Sequence, residues 1–408
     1  MASAHDSPLR KTWKRLKKNK PAIVSLFVII IAVLLAILGP SIAPDKTPDA
    51  DDQVLELANV NPGFTTQMLL VRKNRDERSP SFLSKVFFGQ DNPYQLIPIN
   101  SYKMDGKGNM VVQAFKGEGR TPQEMTFSLA DVVYALSAEE PEVQLIGQQL
   151  SFVTFSGDKK TADIAALQKQ ITAENLVTKK YRLGTDGYGR DILSRLLFGV
   201  RVSLSVGLVA VLISLTIGIF LGSIAGFFRG WVDDVIMWLI NVIWAVPTIL
   251  LAMAIRFAIG DKINSFLAIF IAVGLSMWVE VARIVRGQVL MVREMEYVQA
   301  ARGLGFANPR IILKHILPNI IGPIMVIAAA DFASAILIEA GLSFVGIGVK
   351  PPTPSWGTML NDHRTYLLTP DKAFLALAPG ICIMVMVLAF NLLGNGLRDA
   401  FDVKGKTV

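Results

Sequence analysis

The sequence holds one cysteine, Cys382, in 408 residues, so no disulfide can form within the chain. Cys382 lies in an apolar run, where inert packing is its expected role. The three histidines, His5, His315 and His363, are too scattered to make a metal site. A nucleotide-binding loop of Gly, four residues, then Gly-Lys-Ser/Thr is missing. Its nearest fragment, Gly405-Lys406-Thr407, has Ala400 where the first glycine belongs. Charge is scarce too: 18% of residues are Asp, Glu, Lys or Arg, against about 25% in soluble globular chains. What is abundant is apolar surface, at 52% of the residues. That balance points to a membrane protein.

A bilayer core about 30 Å thick takes roughly 20 apolar residues as a helix, and residues 22–38 form the first such run. Leu9, Trp13 and Leu16 precede it at helical spacing, interleaved with Arg10, Lys11, Lys14, Arg15, Lys17, Lys18 and Lys20. Residues 1–21 therefore read as an amphipathic segment on the membrane surface, and their basic residues set the N-terminus in the cytoplasm. Ser41-Ile42-Ala43 passes for a signal-peptide cleavage site, but the run exceeds the about 7–15 apolar residues usual there. A retained helix over 22–45 is expected.

Five more spans are expected, at 201–227, 232–259, 264–285, 319–345 and 373–395. Six crossings return the tail, 398–408, to the cytoplasm. They put the loop 286–318, with Arg286, Arg293, Arg302, Arg310 and Lys314, on the same side. Pro247 and Pro379 read as kinks. Trp231, Trp238 and Trp356 fall near span ends, as interfacial aromatics do. The resulting fold class is mostly α: a polytopic membrane protein with six transmembrane helices and an α/β extracytoplasmic insert between helices 1 and 2.

The insert, residues 46–180, is long enough for a domain. Residues 95–104 and 109–116 flank Asp105-Gly106-Lys107-Gly108, a hairpin signal. Ser128 and Asp131 mark the start of a helix over 127–138. Ile164, Leu167 and Ile171 give one face of another, after a Thr161 cap. The insert contains no catalytic constellation, so a structural or docking domain is expected. Residues 181–200 lead into the core at 201–397. Here Arg195 and Arg201 sit on the outer side against the charge rule, among Asp186, Arg190 and Asp191, with which local pairing is expected.

Between spans four and five runs Glu296-Tyr297-Val298-Gln299-Ala300-Ala301-Arg302-Gly303-Leu304-Gly305. Ala300 and Ala301 permit close helix contact, and Gly305 can take a positive φ and end the helix in a sharp turn. Phe306, Ile311, Ile312 and Ile316 supply the apolar groups of a second short helix, and Leu317-Pro318 marks the return to the membrane. This is a projecting helix-turn-helix suited to insertion into a groove on a soluble partner. On physical grounds alone, an ordinary basic connector explains the segment equally well.

The segment resembles the EAA loop of permease subunits in type I ABC importers: Glu-Ala-Ala, three residues, Gly, nine residues, Ile, one residue, Leu-Pro. Ala300, Ala301, Gly305, Leu317 and Pro318 match in register; Gln299 replaces the leading glutamate, His315 the isoleucine, and Glu296 lies about one turn earlier. The run from Leu183-Gly184-Thr185-Asp186-Gly187-Tyr188-Gly189-Arg190-Asp191 to Ser194-Arg195-Leu196-Leu197-Phe198-Gly199-Val200-Arg201 resembles the dipeptide, oligopeptide and nickel branch. So do Pro351-Pro352-Thr353-Pro354-Ser355-Trp356-Gly357-Thr358-Met359-Leu360 and Asn391-Leu392-Leu393-Gly394-Asn395-Gly396-Leu397-Arg398-Asp399. The likeness covers 9–45 and 181–404.

The resemblance implies half of a translocation pore, completed by a homologous permease. It also implies two ATPase subunits carrying ATP-Mg, an extracytoplasmic solute-binding protein, and neither cofactor nor nucleic acid on this chain. The coupling residues would be Glu296, Gln299, Ala300, Ala301, Gly303, Gly305, Leu317 and Pro318. Peptides are the expected solute, with nickel or another small solute as the alternative within the branch.

Charged groups in or near spans are costly and usually face a pore or a partner. They are Arg256, Glu280, Arg283, Asp331 and Glu339. Glu280 and Arg283 can pair on one helix face. Asp331 and Glu339, eight residues apart, share one face as pore or subunit-contact candidates. An ion-coupled secondary transporter would explain the spans and carboxylates but not the projecting loop. A membrane-anchored enzyme or adhesion module would leave five spans unexplained.

Overall fold

Apolar runs with no polar face become long helices, because only a helix satisfies its backbone within one segment away from water. In a computed structural model of the chain the described residues are 8–75, 81–117, 119–137, 139, 142–260 and 262–401. The Leu9 side chain and the Gly405–Thr407 fragment lie outside them.

The chain opens with α1 (Pro8–Leu16) and α2 (Lys20–Ile42). The insert follows as β1 (Phe64–Arg72), α3 (Phe82–Phe88), β2 (Tyr94–Met104), β3 (Asn109–Ala114), β4 (Gln123–Ser128) and α4 (Leu129–Val133). It ends with β5 (Gln144–Ile146), β6 (Gln149–Val153), β7 (Lys159–Asp163), α5 (Ile164–Gln170) and β8 (Leu176–Tyr181). Next come α6 (Ile192–Phe228), α7 (Gly230–Trp244), α8 (Thr248–Ile259) and α9 (Ser265–Val292). After these are α10 (Glu296–Gly303), α11 (Asn308–Ile311), α12 (Ile321–Phe344), α13 (Trp356–His363) and α14 (Phe374–Phe401).

The chain divides into two units, one of residues 1–36, 199–368 and 373–408, the other of 37–198 and 369–372. The second unit is wider than the polar block 46–180 and takes in the approach to α6.

Five helices, α2, α6, α9, α12 and α14, are each long and apolar enough to cross a bilayer; α9, α12 and α14 lie in the first unit, as do α2 up to residue 36 and α6 from residue 199. The expected continuous span at 232–259 is instead the pair α7 and α8, bent by 92° and counting as a sixth crossing only if the two form one. The cause is local: Pro247 has no N–H to continue the ladder, and its extended ψ of 130° starts a new helix. Gly218, Gly222 and Gly226 let α6 lie against α9: an added Cβ would come within 2.5 Å of Val281, 2.4 Å of the Ala282 carbonyl and 2.7 Å of the Arg286 carbonyl. Such small residues permit close packing where helices gain nothing from expelling water.

Arg286 does not pair within its own helix turn. Its Nε and Nη2 each donate over 2.6 Å to the two oxygens of Asp233 on α7, a bidentate pair. Arg283 likewise forms no ion pair with Glu280; it donates to Asn241 at 2.9 Å and stacks 3.9 Å over the Trp244 ring. Arg286→Ala leaves the Asp233 carboxylate without its partner, at 12% side-chain exposure. We expect a loss of about 2–3 kcal/mol, below the roughly 3–5 kcal/mol of fully buried pairs, read as thermal melting in detergent. The double variant Asp233→Leu/Arg286→Leu is expected to recover most of it, and equal losses in the single and double forms would count against the pair.

The second unit holds a five-stranded sheet in the order β4-β3-β2-β1-β8 and a three-stranded sheet β5-β6-β7. Every strand pairing is antiparallel, so the expected α/β insert is an α+β one. Short loops join β2 to β3, β3 to β4, β5 to β6 and β6 to β7, whereas parallel pairs need a crossover of a dozen residues or more. The hairpin across Asp105–Gly108 forms as expected, with Met104 opposite Met110. The helix expected over 127–138 shrinks to α4: Phe127 stays in β4, and Ser128 caps the helix by accepting from the Ala130 amide. Thr161 lies in β7 and not at a helix start. Ile164, Leu167 and Ile171 do face the core, beside Leu69, Ile97, Met110, Val112 and Leu129.

Candidate functional site

The segment between α9 and α12 has an interior and a surface. Val298, Ala301, Ile311, Ile316 and Ile320 are buried with Phe227, Val281, Val285 and Val289, which fixes the segment to the ends of its neighbouring helices. Gly305 takes φ +76°. The Phe306 amide donates to the Ala301 carbonyl at 3.1 Å, and the Gly305 amide to the Arg302 carbonyl at 2.9 Å. These two bonds define a Schellman ending of α10, which needs the left-handed conformation at its glycine. Phe306 stacks on His315 with ring centres 5.9 Å apart, and Arg310 lies 4.6 Å over the same ring. The cationic side of the segment is fastened inward: Arg302 sits 4.8 Å over the Phe227 ring, and Arg293 donates to the Phe227 carbonyl. Burial, then the charges of Arg229 and Arg302, lowers the Arg293 pKa.

Ala300 and Ala301, adjacent in sequence, part company. Ala301 is 4% exposed and packs inward, while Ala300 is exposed at the tip. Beside it on the surface are Glu296, Gln299, Gly303, Gly305 and Pro318; Leu317 is half-buried. Gln299 reaches Glu294 at 3.5 Å. Three surface residues carry no motif signal: Tyr297, Leu304 and Leu313, at 43%, 74% and 64% exposure. Their exposure beside buried isoleucines depends on which turn of helix meets the core, and an apolar letter in the sequence does not say which. Burial raises the Tyr297 phenol pKa. The surface thus presents small and apolar groups (Tyr297, Ala300, Leu304, Gly305, Leu313) beside the polar Glu296 and Gln299 on a packed base, the form of a docking knob.

Asp331 and Glu339 lie on α12, both inside the first unit at 3% and 0% exposure. Ser214 donates to Asp331 at 3.1 Å, and Ser343 to Glu339 at 2.7 Å. Neither lines the cavity of about 120 Å³ at the α7–α8 bend, which Glu280 enters beside Trp244, Ser276 and Ser334.

The other motifs have structural places. Trp356 is not interfacial: it is 2% exposed, and an added Cβ on Gly199 would lie 2.8 Å from its ring. Ser355 and Thr358 form a capping box at the start of α13. In the second unit, Arg195, one of the two arginines that broke the side rule, lies with Arg190 among carboxylates. Arg190 donates to Asp186 at 2.7 Å and to Asp51 at 2.9 Å, and Arg195 lies 3.7 Å from Asp186 and 3.9 Å from Asp51. Asp51 comes from the far end of the insert, so nothing in the local run announced it.

The model of the family described as binding-protein-dependent transport system inner membrane component matches residues 218–404. A second model, the N-terminal TM domain of oligopeptide transport permease C, matches residues 7–62. The chain is 42% identical over 224 residues to the dipeptide transport system permease protein DppC of Alkalihalophilus pseudofirmus, covering 55% of this chain and 72% of that one. It is 40% identical over 225 residues to the glutathione transport system permease protein GsiD of Pectobacterium atrosepticum, covering 55% and 73%. The solved inward-facing methionine ABC transporter aligns over 52% of this chain and 98% of that chain at 17% identity and a TM-score of 0.43, too low to add weight. The chain belongs to the family of binding-protein-dependent transport inner membrane components. It is a multi-pass permease subunit of an ABC importer.

Proposed function

We propose that this chain forms half of the translocation path of a peptide importer, with the segment 296–316 as the element that docks on a partner ATPase. The observation that carries this is the rigid knob: a Schellman-ended helix whose buried face is fixed to α9 and α12 and whose free face presents Tyr297, Ala300, Leu304 and Gly305. An ordinary connector has no need of a packed base under an apolar tip. Helix insertion into a groove suits such a surface. The dipeptide and glutathione permeases among its relatives favour peptides as the solute.

In this reading the N- and C-termini and the knob are cytoplasmic, and the insert is outside. A homologous permease supplies the other half of the path. Two ATPase subunits hold ATP-Mg, with no nucleotide site or cofactor on this chain, and an external solute-binding protein delivers the peptide. ATPase closure moves the knob. Coupling then requires the knob and the helices bearing it to make different contacts in the inward- and outward-facing states.

The test is co-purification of the chain with its co-expressed neighbours, followed by ATP hydrolysis with and without loaded binding protein. Gly305→Val forces a β-branched residue into the left-handed region, at about 1–2 kcal/mol or more. It is expected to lower stimulated hydrolysis several-fold while the isolated chain still inserts. An intact complex with unchanged stimulation would overturn the assignment.

A further inference from the structure

The second unit contains a cavity of about 1070 Å³, at the top of the about 300–1,000 Å³ usual for small-molecule sites. Its walls have two chemistries. Pro40 and Ile42 come from the end of α2, Leu193 and Leu197 from the start of α6, and Leu70 and Val177 from the sheet. Against these stand five cations: Lys46, Lys85, Lys179, Lys180 and Arg182. None of the five forms an ion pair among the described residues. The three carboxylates of the lining have hydrogen-bond or ion-pair partners outside the five, although Asp52 also feels the Lys179 charge. Asp45 accepts from the Thr47 amide and hydroxyl at 2.8 and 2.7 Å and from the Asp52 amide at 3.0 Å. Asn92 donates to Asp52 at 2.6 Å, and Asp91 lies 3.7 Å from Arg75. Burial, then the Asp45 charge, pushes the Asp52 carboxyl above its usual range, while the Asn92 hydrogen bond and the Lys179 charge pull it back.

The cavity also has a level. The Gln90 amide donates to the Lys46 carbonyl at 2.9 Å, and an added Cβ on Gly89 would lie 2.6 Å from that oxygen. The end of α3 is therefore pressed onto the chain just past α2. Phe87 and Phe88, 40% and 61% exposed, stand at that height, where aromatic side chains suit the boundary between headgroups and acyl chains.

We propose that this cavity holds an anionic phospholipid, its phosphate among Lys46, Lys85, Lys179, Lys180 and Arg182 and the start of its acyl chains along Pro40, Ile42, Leu193 and Leu197. A soluble anion would use only the cationic wall; the apolar wall, built from the ends of two membrane helices, selects a lipid. The assignment depends on α2 and α6 crossing the bilayer and not on which solute is carried.

The test uses the full chain in detergent, incubated with mixed micelles containing phosphatidylglycerol or phosphatidylcholine; retained lipid is extracted and weighed by mass spectrometry. The natural sequence is expected to retain phosphatidylglycerol over phosphatidylcholine. The triple variant Lys179→Gln/Lys180→Gln/Arg182→Gln is expected to bind phosphatidylglycerol about fivefold more weakly for each cation lost, on the order of a hundredfold in all. Lys180 and Arg182 are exposed, so the double variant Lys180→Gln/Arg182→Gln should keep its melting temperature and still bind phosphatidylglycerol about 25-fold more weakly. Lys179→Arg/Lys180→Arg keeps the charge and should keep the lipid. Equal phosphatidylglycerol in the natural and triple forms would overturn the site. Displacement by millimolar inorganic phosphate would make it a soluble-anion site and overturn the lipid. Unchanged lipid retention with lost stimulation by the binding protein would give this face to a protein instead.

Discussion

With Leu304 replaced by aspartate, the assembled transporter is expected to lose solute-stimulated ATP hydrolysis by roughly tenfold to a hundredfold, the range of a truncated interface hot spot. The chain itself should melt within about 0.5 kcal/mol of the natural form, as exposed substitutions do. Leu304 is 74% exposed and belongs to no core cluster, so its leucine contributes little to the fold of this chain alone. Its backbone amide donates to the Ala300 carbonyl at 2.9 Å, a bond that aspartate keeps. What changes is the tip: a carboxylate entering an apolar groove must shed water without gaining a partner. Val298→Asp is the contrasting variant. Val298 is fully buried in the base, so charge there is expected to unfold the segment and lower both stability and hydrolysis. A Leu304→Asp transporter with natural stimulation would reject the docking knob.

Gly189→Ala is expected to be the most damaging single methyl group in the second unit, with a loss of about 3 kcal/mol or more. Two costs coincide there. Gly189 has φ +73°, a conformation that costs other residues about 1–2 kcal/mol. An added Cβ would also lie 1.8 Å from the Val54 carbonyl oxygen and 2.5 Å from its carbon. That carbonyl is backbone and already accepts from the Leu57 amide at 2.8 Å, so it cannot swing aside like the end of a side chain. The turn carrying Gly189 holds Asp186 and Arg190, so its displacement would also loosen the pair to Asp51. Gly147→Ala separates the two costs. Gly147 has φ +64° but open space around its missing Cβ, and only the conformational cost of about 1–2 kcal/mol is expected. Thermal melting and limited proteolysis of the insert measure both. Equal losses at the two positions would show that the clash is relieved cheaply.

The runs of apolar residues announced the spans, because a bilayer reads length and hydropathy and little else. The break near Pro247 was visible as a kink, but not its 92° angle, which follows from the ψ of 130° that Pro247 adopts. In the insert, the Asp105–Gly108 turn was legible since its chemistry is local: Asp105 accepts from the Lys107 and Asn109 amides at 2.7 and 2.9 Å. The longer helix expected at 127–138 was not there. Period and capping residues permit a helix, but Phe127 opposite Met110 in the sheet takes the strand instead. Trp356 was misread for a similar reason, since an aromatic near a span end suits the interface until a glycine on another helix offers it a slot.

The sequence by itself determined the polytopic class and the turn at Gly305, where glycine freely takes the positive φ that ends the helix. It also carried the family through motifs whose spacing survives without coordinates. Only the tertiary structure decided which of two adjacent alanines turns inward, which aspartate answers Arg286 from 53 positions away, and that Asp51 answers Arg190 across 139. These pairings depend on which helix and strand faces meet. That is settled by burying side chains from distant segments against one another, a condition that local spacing does not encode.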